Sequence, residues 1–539
     1  MINRYNDIMN TMRKLPIGIQ DFEYLRKENF LYVDKTQYVY QLAHYGKPYF
    51  LGRPRRFGKS LFLSTLKAYF EGKKELFEGL KIAEIEKDWT EYPVFYLDFN
   101  VGLLIKALNV SDRISVKIKE LERLWGVTTD TEDLASRFEA VIKNACEQTG
   151  KRVVVLIDEY DKPLINTMND ETANEEIRTL LKSFYGVLKS ADAYLRFVFL
   201  TGVTKFSKVS IFSDLNQLID ISLDSRYSGI CGITQTELEE NFVPEIAALA
   251  ETTQKTCEEA LFELQKLYNG YHFSENLIGV YNPFSLLNTF LAQKYRYYWF
   301  ATGTPTFLAN ALRNQNYDIR KFDDDVKIAV NSVMDYRVEN ENLVPLLYQS
   351  GYLTIKNYDN ILDEYVLGFP NEEVKYGFLN ELLPAFVLKP IASGNFSVTD
   401  FLRKLMNNDI EEFMTSLKAF FAAIPYDAIE QKHRDEQYYQ HVFYLLFTLM
   451  GQFVQTEVKN NKGRADAIVK TADSIYIFEF KINDSLPCGE GRAATAEDAL
   501  KQINSKDYAI PYTADHRKLV KIGVEFSQTE KGIKRWVIE

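Results

Sequence analysis

The chain of 539 residues is poor in several things that would have settled its class at once. It has four cysteines, Cys146, Cys231, Cys257 and Cys488, far apart and without a C-x-x-C pair. That excludes a disulfide framework or a cysteine zinc site, and points to reduced thiols in a cytosolic protein. No apolar run is long enough for a bilayer: the longest, VFYLLFTLMG from Val442, falls well short of the ~20 residues a spanning helix needs. The opening MINRYNDIMNTMRKLPIGIQ lacks the apolar core of a signal peptide. Internal repeats and low-complexity tracts are absent. Positive charge is in deficit, with 64 Lys and Arg against 75 Asp and Glu and a net charge of −11. This excludes wholesale coating of nucleic acid but allows a local basic channel. The expectation is a cytoplasmic, soluble protein with no membrane partner.

What remains is an ordinary globular composition, 46% hydrophobic and 26% charged, enough for about three or four domains, each with its own core. Residues 1–235 alternate short apolar runs with longer helical patterns, the mark of an α/β domain with a parallel sheet. The expected strands are PYFLG (48–52), VFYLDF (94–99), RVVVLI (152–157) and LRFVFLTG (195–202). Thr234, with Glu237 three residues on, predicts a capping box that opens a helix. Residues 236–430 read as mostly helical. Within them LLYQSGYLTIK and EYVLGFP predict a helix and two strands (352–355 and 365–369), the outline of a winged-helix module. Residues 431–539 return to α/β, with a helix at YYQHVFYLLFTLMG, strands at ADAIVK and SIYIFEFK, a helix at TAEDALKQIN, and further strand.

One glycine is also missing. GRPRRFGKSL (52–61) ends in Gly58-Lys59-Ser60, but G-x-x-x-x-G-K-[ST] asks for glycine where Arg53 stands, and Gly52 is one residue early. The surroundings still suit a phosphate loop. A buried strand precedes it, and a helix with Leu61, Leu63, Leu66 and Phe70 on one face follows, so that N–H groups and a helix N-terminus face an anion. Lys59 would reach the β- and γ-phosphates of ATP, and Ser60 would ligate Mg²⁺. Arg55, Arg56, Phe57, Gly58 and Leu61 complete the expected ATP-binding loop. Its second half is VVVLIDEYD, whose Asp158 and Glu159 close a buried strand at the ligand edge of the sheet. Asp158 would hold Mg²⁺ through water, and Glu159 would orient and deprotonate the attacking water. Thr201, at the end of a third strand, would sense the γ-phosphate. Arg53, Arg55 and Arg56 either add charge to the phosphate pocket or pair with surface acids. A basic loop for nucleic acid is the alternative reading, and Arg226 in DSRYSG is a candidate arginine finger.

LPIGIQDFEYLRKENFLYVDKT, FLGRPRRFGKSLFLSTL and VVVLIDEYDKPL resemble the AAA-ATPase-like family over about residues 14–235. That family's loop characteristically reads RPRRFGKS, so the missing glycine is a family variant. The resemblance implies nucleotide and Mg²⁺ binding by Lys59 and Ser60, with Asp158 and Glu159 as the Walker-B pair. Asp34 and Lys35 of YVDKT match the family's N-terminal motif, which assigns them no role. YNGYHF, VYNPFSLLN and YLTIKNY resemble its middle region, and their aromatic residues are expected in the core.

Near the C-terminus, GRADAIVKTADSIYIFEFK sets Asp466 on one strand and Glu479 and Lys481 on the next. Alternation turns Ile475, Ile477, Glu479 and Lys481 to one face and Tyr476, Phe478 and Phe480 to the other. Burying two charges at the end of an apolar strand is costly unless they serve something. Adjacent strands bring Asp466 to Glu479, so both could share a hard divalent ion, Mg²⁺ or Mn²⁺. Lys481 would orient a water or stabilise negative charge. The plain alternative is a hairpin with a surface ion pair.

This D-x12-E-x-K pattern, with its G-R-x-D lead-in, resembles the PD-(D/E)xK nuclease superfamily over about residues 430–515. The resemblance implies a restriction-endonuclease-like α/β domain in which Gln502, with Tyr508 six residues on, belongs to the catalytic set. Many members carry a glutamate on the first helix, where this chain offers Glu436, Gln440 and His441. Residues 451–539 hold 14 Lys and Arg against 13 Asp and Glu, so a DNA-binding face would be a local cluster including Arg464, Lys501 and Lys506. Cys488 has no ligand partner and is assigned no metal. The leading expectation is an ATPase joined to a nuclease acting on nucleic acid, DNA before RNA. The rival is a nucleotide-switched protein whose nuclease fold binds nucleic acid or a protein without cutting.

Overall fold

The computed structural model describes residues 13–46, 48–100, 102, 104–168, 170–205, 217–300, 306–315, 317–323, 325–334, 342–387, 397–424, 436–451, 455–458, 466–483, 494–527 and 532–539. The chain divides into two compact units, residues 1–302 with 322–374 and residues 303–321 with 375–539.

The first unit is built on a five-stranded sheet: β1 (Tyr49–Gly52), β2 (Val94–Asp98), β3 (Val153–Asp158), β4 (Leu195–Gly202) and β5 (Ile219–Asp220). Its order is β2-β3-β4-β1-β5, with every pair parallel. The first four strands match the expected runs. β5, two residues long, is too short to have been read from the sequence. All six residues of β3 are buried, which is why the run does not alternate: helices cover both faces of such a sheet. The helix Lys59–Phe70 packs on β3 and β4, and Leu134–Thr149 packs on β3. Because the strands are parallel, their carboxyl ends share one rim. Register places Asp98 beside Asp158 and Gly52 beside Gly202 there.

The capping box forms: the Glu237 N–H donates to Thr234 Oγ1, and the Thr234 N–H to the Glu237 carboxylate. It opens the helix Gln235–Asn241, next to a short antiparallel pair, β6 (Ile233–Thr234) and β7 (Val280–Tyr281). The helices that follow close on a core including Leu238, Phe242, Leu249, Leu264, Tyr268 and Phe290. Farther on, the helix Val344–Ser350 precedes a hairpin of β9 (Thr354–Asp359) and β10 (Glu364–Gly368), as expected. A third strand, β8 (Val326–Ala329), joins β10.

The second unit carries a mixed sheet, β11 (Gln455–Val458), β12 (Ala467–Lys470), β13 (Ser474–Asn483), β14 (Lys518–Ser527) and β15 (Gly532–Ile538), in that order. β13 and β14 are parallel and the other pairs antiparallel. The two faces of β13 differ as its alternation predicts. Phe478 and Phe480 pack on Phe443 and Phe447 of the helix Glu436–Met450. Ile475 and Ile477 pack with Ile503 and Tyr508, at the helix Ala496–Ser505. Fully burying each such side chain contributes roughly 1.5–3 kcal/mol. Among the described residues, no helix is long and apolar enough to cross a membrane, and Cys146, Cys231 and Cys257 are free thiols.

Candidate functional site

In the first unit the loop after β1 turns through two left-handed residues, Arg56 (φ 68°) and Gly58 (φ 93°). Gly58 caps the helix Lys59–Phe70, and glycine takes that conformation without the steric cost of a side chain. Lys59 is buried, and its ammonium donates to the carbonyls of Arg53 (2.9 Å) and Pro54 (3.0 Å). Burial pushes its pKa down, against the pull of Glu159, Asp158 and Asp161.

Asp158 closes β3 and is buried. The Thr201 hydroxyl donates to its Oδ1, and the Tyr96 hydroxyl lies 3.4 Å from its Oδ2. Thr201 is fully buried, so it meets the site through Asp158 and forms no part of the cavity wall. Glu159 is left-handed (φ 49°), a conformation uncommon outside glycine, and Lys162 Nζ stands 3.7 Å from its carboxylate. Asp98, beside Asp158, is pushed up by burial and by the Asp158 and Glu159 charges. Asp161 rises to about 6 through burial, although its Oδ2 accepts the N–H groups of Val203 and Thr204. These acids crowd the sheet rim where a cation would lower the electrostatic cost.

A cavity of about 370 Å³ opens there, within the range of small-molecule sites. Arg55, Arg56, Phe57, Gly58, Lys59, Ser60, Leu61 and Glu159 all line it. Their side chains are not equivalent. Phe57 is 1% exposed and packs edge-on against Tyr271 and Phe273, so it would meet a nucleotide through its backbone. Arg56 stacks over Phe284, 4.7 Å from the ring centre. Arg226 does not line the cavity: it is exposed, and Asp224 holds its guanidinium at 2.5 Å. The aromatic residues Tyr268, Tyr271 and Phe273 are buried.

In the second unit Asp466, just before β12, accepts the Phe480 N–H through Oδ2 (2.9 Å), which seats it beside Glu479. Glu479 is 1% exposed. Its Oε1 accepts hydrogen bonds from Lys481 Nζ (3.3 Å) and from Gln502 Nε2. Among the described residues, its Oε2 is buried without a hydrogen-bond partner. Burial, then the Asp466 charge, pushes the Glu479 carboxyl up to about 7 against the pull of Lys481. Gln502 reaches Glu479 because its helix lies against β14 at Gly523. A Cβ there would stand 2.2 Å from the Ala496 carbonyl oxygen, so only glycine permits the approach. Asp466, Glu479, Lys481 and Gln502 thus come together, with the Tyr508 hydroxyl 3.4 Å from Gln502 Nε2.

His441, on the first helix, is fully buried with Nε2 3.3 Å from Asp318. Arg464, Cys488 and the side chains of Glu436 and Gln440 lie outside the described residues. Lys501 and Lys506 are exposed. Among the described residues, no three His, Cys, Asp or Glu side chains make a metal cage by themselves.

Residues 16–212 match the family described as Predicted AAA-ATPase, and residues 434–536 match the PD-(D/E)XK nuclease superfamily. A protein of Azotobacter chroococcum mcd 1, described as "Uncharacterized protein in vnfD 5'region", is 38% identical over 536 residues, covering 98% of this chain and 99% of its own. The chain belongs to the predicted AAA-ATPase family. Its C-terminal part belongs to the PD-(D/E)XK nuclease superfamily.

In this AAA-ATPase-family chain, sequence reasoning overlooked several cavity residues. Asn100 and Lys162 line it, and each follows the carboxyl end of a predicted strand, a signal that was available. Lys35 lines it too, and its buried ammonium bonds the Gly229 carbonyl and the Glu237 carboxylate. Asp34 bonds the N–H groups of Thr36 and Lys81. The YVDKT motif therefore fastens the N-terminal segment to the first helix after the sheet.

Proposed function

We propose that the first unit binds and hydrolyses ATP with Mg²⁺, and that the second unit cleaves nucleic acid, DNA before RNA, with Mg²⁺ or Mn²⁺. The observation that supports it best is that each unit gathers a lysine and acids from separate elements at one place. Lys59 stands with Asp158 and Glu159 in the first, and Lys481 with Asp466 and Glu479 in the second.

In the first unit Lys59, whose ammonium has three N–H groups and gives two to the Arg53 and Pro54 carbonyls, would keep that seat and turn the third to the β- and γ-phosphates. Ser60 and Asp158 would hold the metal, and Thr201 fixes the Asp158 carboxylate so that it points one way. Glu159 would orient and deprotonate the attacking water. In the second unit Glu479 Oε2, without a hydrogen-bond partner among the described residues, and the neighbouring Asp466 fit a hard divalent ion. A divalent ion would polarise the phosphodiester and lower the pKa of a water. Gln502 holds Glu479 in position, and Lys481 would steady negative charge on the phosphate. Lys501 and Lys506, exposed near Gln502, would contribute to the strand-binding face. A further part of the reading is that the ATP state licenses cleavage in this cytoplasmic protein.

Purified protein with Mg²⁺ or Mn²⁺, compared with Lys481→Ala, tests the cleavage half: equal cleavage by both would sink it. Running the same assay with ATP, ADP and no nucleotide tests the coupling, and identical rates would remove it. His441, on the helix from which many superfamily members supply an acid, is instead turned to Asp318. That favours a second reading, a nucleotide-switched binder without cleavage, for which calorimetry would find no divalent ion bound at Asp466 and Glu479.

A further inference from the structure

The phosphate loop carries an arginine where such loops ordinarily carry glycine. Arg53 is 1% exposed, so its guanidinium neither faces the cavity nor pairs with a surface acid. Nη1 donates to the carbonyls of Gly52 (2.9 Å) and Ser222 (2.7 Å), and Nη2 to that of Tyr227 (3.1 Å). The guanidinium stacks on Phe273, 4.0 Å from the ring centre, and its buried Nε–H has no partner among the described residues. The Arg53 N–H donates to the Gly202 carbonyl at the end of β4 (3.2 Å). Its own carbonyl accepts from Lys59 Nζ. One residue thus ties the ends of β1 and β4 to the chain beyond β5, and forms half of the seat that holds Lys59.

Backbone freedom is not what this position supplies. In the loop only Arg56 and Gly58 are left-handed, so residue 53 needs no glycine. A planar fork that meets several carbonyls at fixed angles supplies rigidity instead, which a lysine's point charge does not. Burying a guanidinium is costly, and hydrogen bonds to carbonyls with an aromatic stack are what offset it.

We propose that Arg53 is a positioning residue for nucleotide binding: by fixing the Arg53 and Pro54 carbonyls it sets where Lys59 stands. The inference rests on the reading of the first unit as an ATP site. Arg53→Lys and Arg53→Gly test it, the second restoring the commoner motif. ATP affinity is expected to fall at least ten-fold in Arg53→Lys, with AMP affinity changed less than two-fold, because AMP has no β- or γ-phosphate for Lys59. Arg53→Gly is expected to bind ATP no better than Arg53→Lys. Where Arg53→Gly does not fold, Arg53→Lys carries the test.

Hydrogen exchange without nucleotide supplies an independent measurement. Amides of residues 53 and 55–60 should exchange at least ten-fold faster in Arg53→Lys, with those of β3 and β4 unchanged. ATP affinity equal to wild type in either variant, ATP and AMP weakening together, or loop exchange equal to wild type would overturn the proposal. Wild-type protein that binds no ATP would overturn the functional reading, while the exchange comparison would still decide whether Arg53 sets the loop.

Discussion

The phosphate loop and the E-x-K strand each bury charge beside opposite charge, yet they offset its cost differently. In the loop the buried ammonium of Lys59 is satisfied by two backbone carbonyls, and Asp158 by Thr201. In β13 one oxygen of buried Glu479 is bonded by Lys481 and Gln502, while the other has no partner among the described residues. An unsatisfied buried polar atom costs roughly 1–3 kcal/mol, more when charged. The first site thus has its charges partnered before phosphate arrives. The second keeps an acceptor unsatisfied, which makes it the more strained of the two and the better prepared for a cation.

The largest effects should separate the two regions. Asp466→Ala is expected to lower phosphodiester cleavage by about 10³-fold or more, the scale of removing a metal ligand or charge stabiliser, with ATP turnover unchanged. Glu159→Gln is expected to do the reverse, lowering ATP turnover by about 10²–10⁴-fold, the contribution of a general base, with nucleotide still bound. Steady-state rates for both reactions in both variants check this. Turnover unchanged in Glu159→Gln would remove Glu159 as the base.

The next effect probes the strain itself. A carboxyl with a folded pKa of about 7, against an ordinary 4.5, holds its proton longer in the folded chain. Between those values the folded state binds more protons than the unfolded one, so stability falls as pH rises from 4.5 to 7, by on the order of 2–3 kcal/mol. Glu479→Gln should therefore abolish cleavage yet raise the melting temperature at pH 8, with little change at pH 4.5. Melting curves of both proteins at the two pH values measure it. A variant less stable than wild type at pH 8 would show that Glu479 is not strained.

A smaller effect concerns how the second site is assembled. Gly523→Ala would set a Cβ 2.2 Å from the Ala496 carbonyl oxygen and 2.7 Å from the Leu500 nitrogen. Pushing the helix away should cost about 1–3 kcal/mol, the usual penalty of overpacking. It should also lower cleavage several-fold, because Gln502 rides on that helix. Denaturant titration and cleavage rates, each against wild type, test the two halves. Full activity would mean that Gln502 does not position Glu479.

What the sequence made legible was local. VVVLIDEYD shows a strand buried on both faces and ending in acids, and β3 is that strand. The period of SIYIFEFK places Glu479 with Ile475 and Ile477 and against Phe478, as the packing bears out. What stayed hidden is long-range. The Arg53 guanidinium finds Ser222 and Tyr227 far along the chain, and no periodicity in RPRRFGKS reveals that. Thr201 stands at a strand end where a phosphate sensor would sit, but which side of that end its hydroxyl faces is set by the register of β4 against β3, and it meets Asp158. β5 is too short to leave a pattern, and the approach at Gly523 is visible only once the helix lies on the sheet.

The smallest expected effect bears on the first region. Arg226 follows the sheet, as an arginine finger supplied in cis could. Its side chain is exposed, however, and Asp224 already holds it through three hydrogen bonds. A residue two positions away that takes up the guanidinium leaves it little freedom to reach a γ-phosphate, and exposed pairs of this kind are screened by solvent and salt. Arg226→Ala should therefore change ATP turnover less than two-fold, where loss of an arginine finger costs about 10³-fold or more. Turnover measured at saturating ATP decides it. A fall beyond ten-fold would mean that Arg226 leaves Asp224 when ATP binds, and the first site would then need the same open acceptor of charge that distinguishes the second.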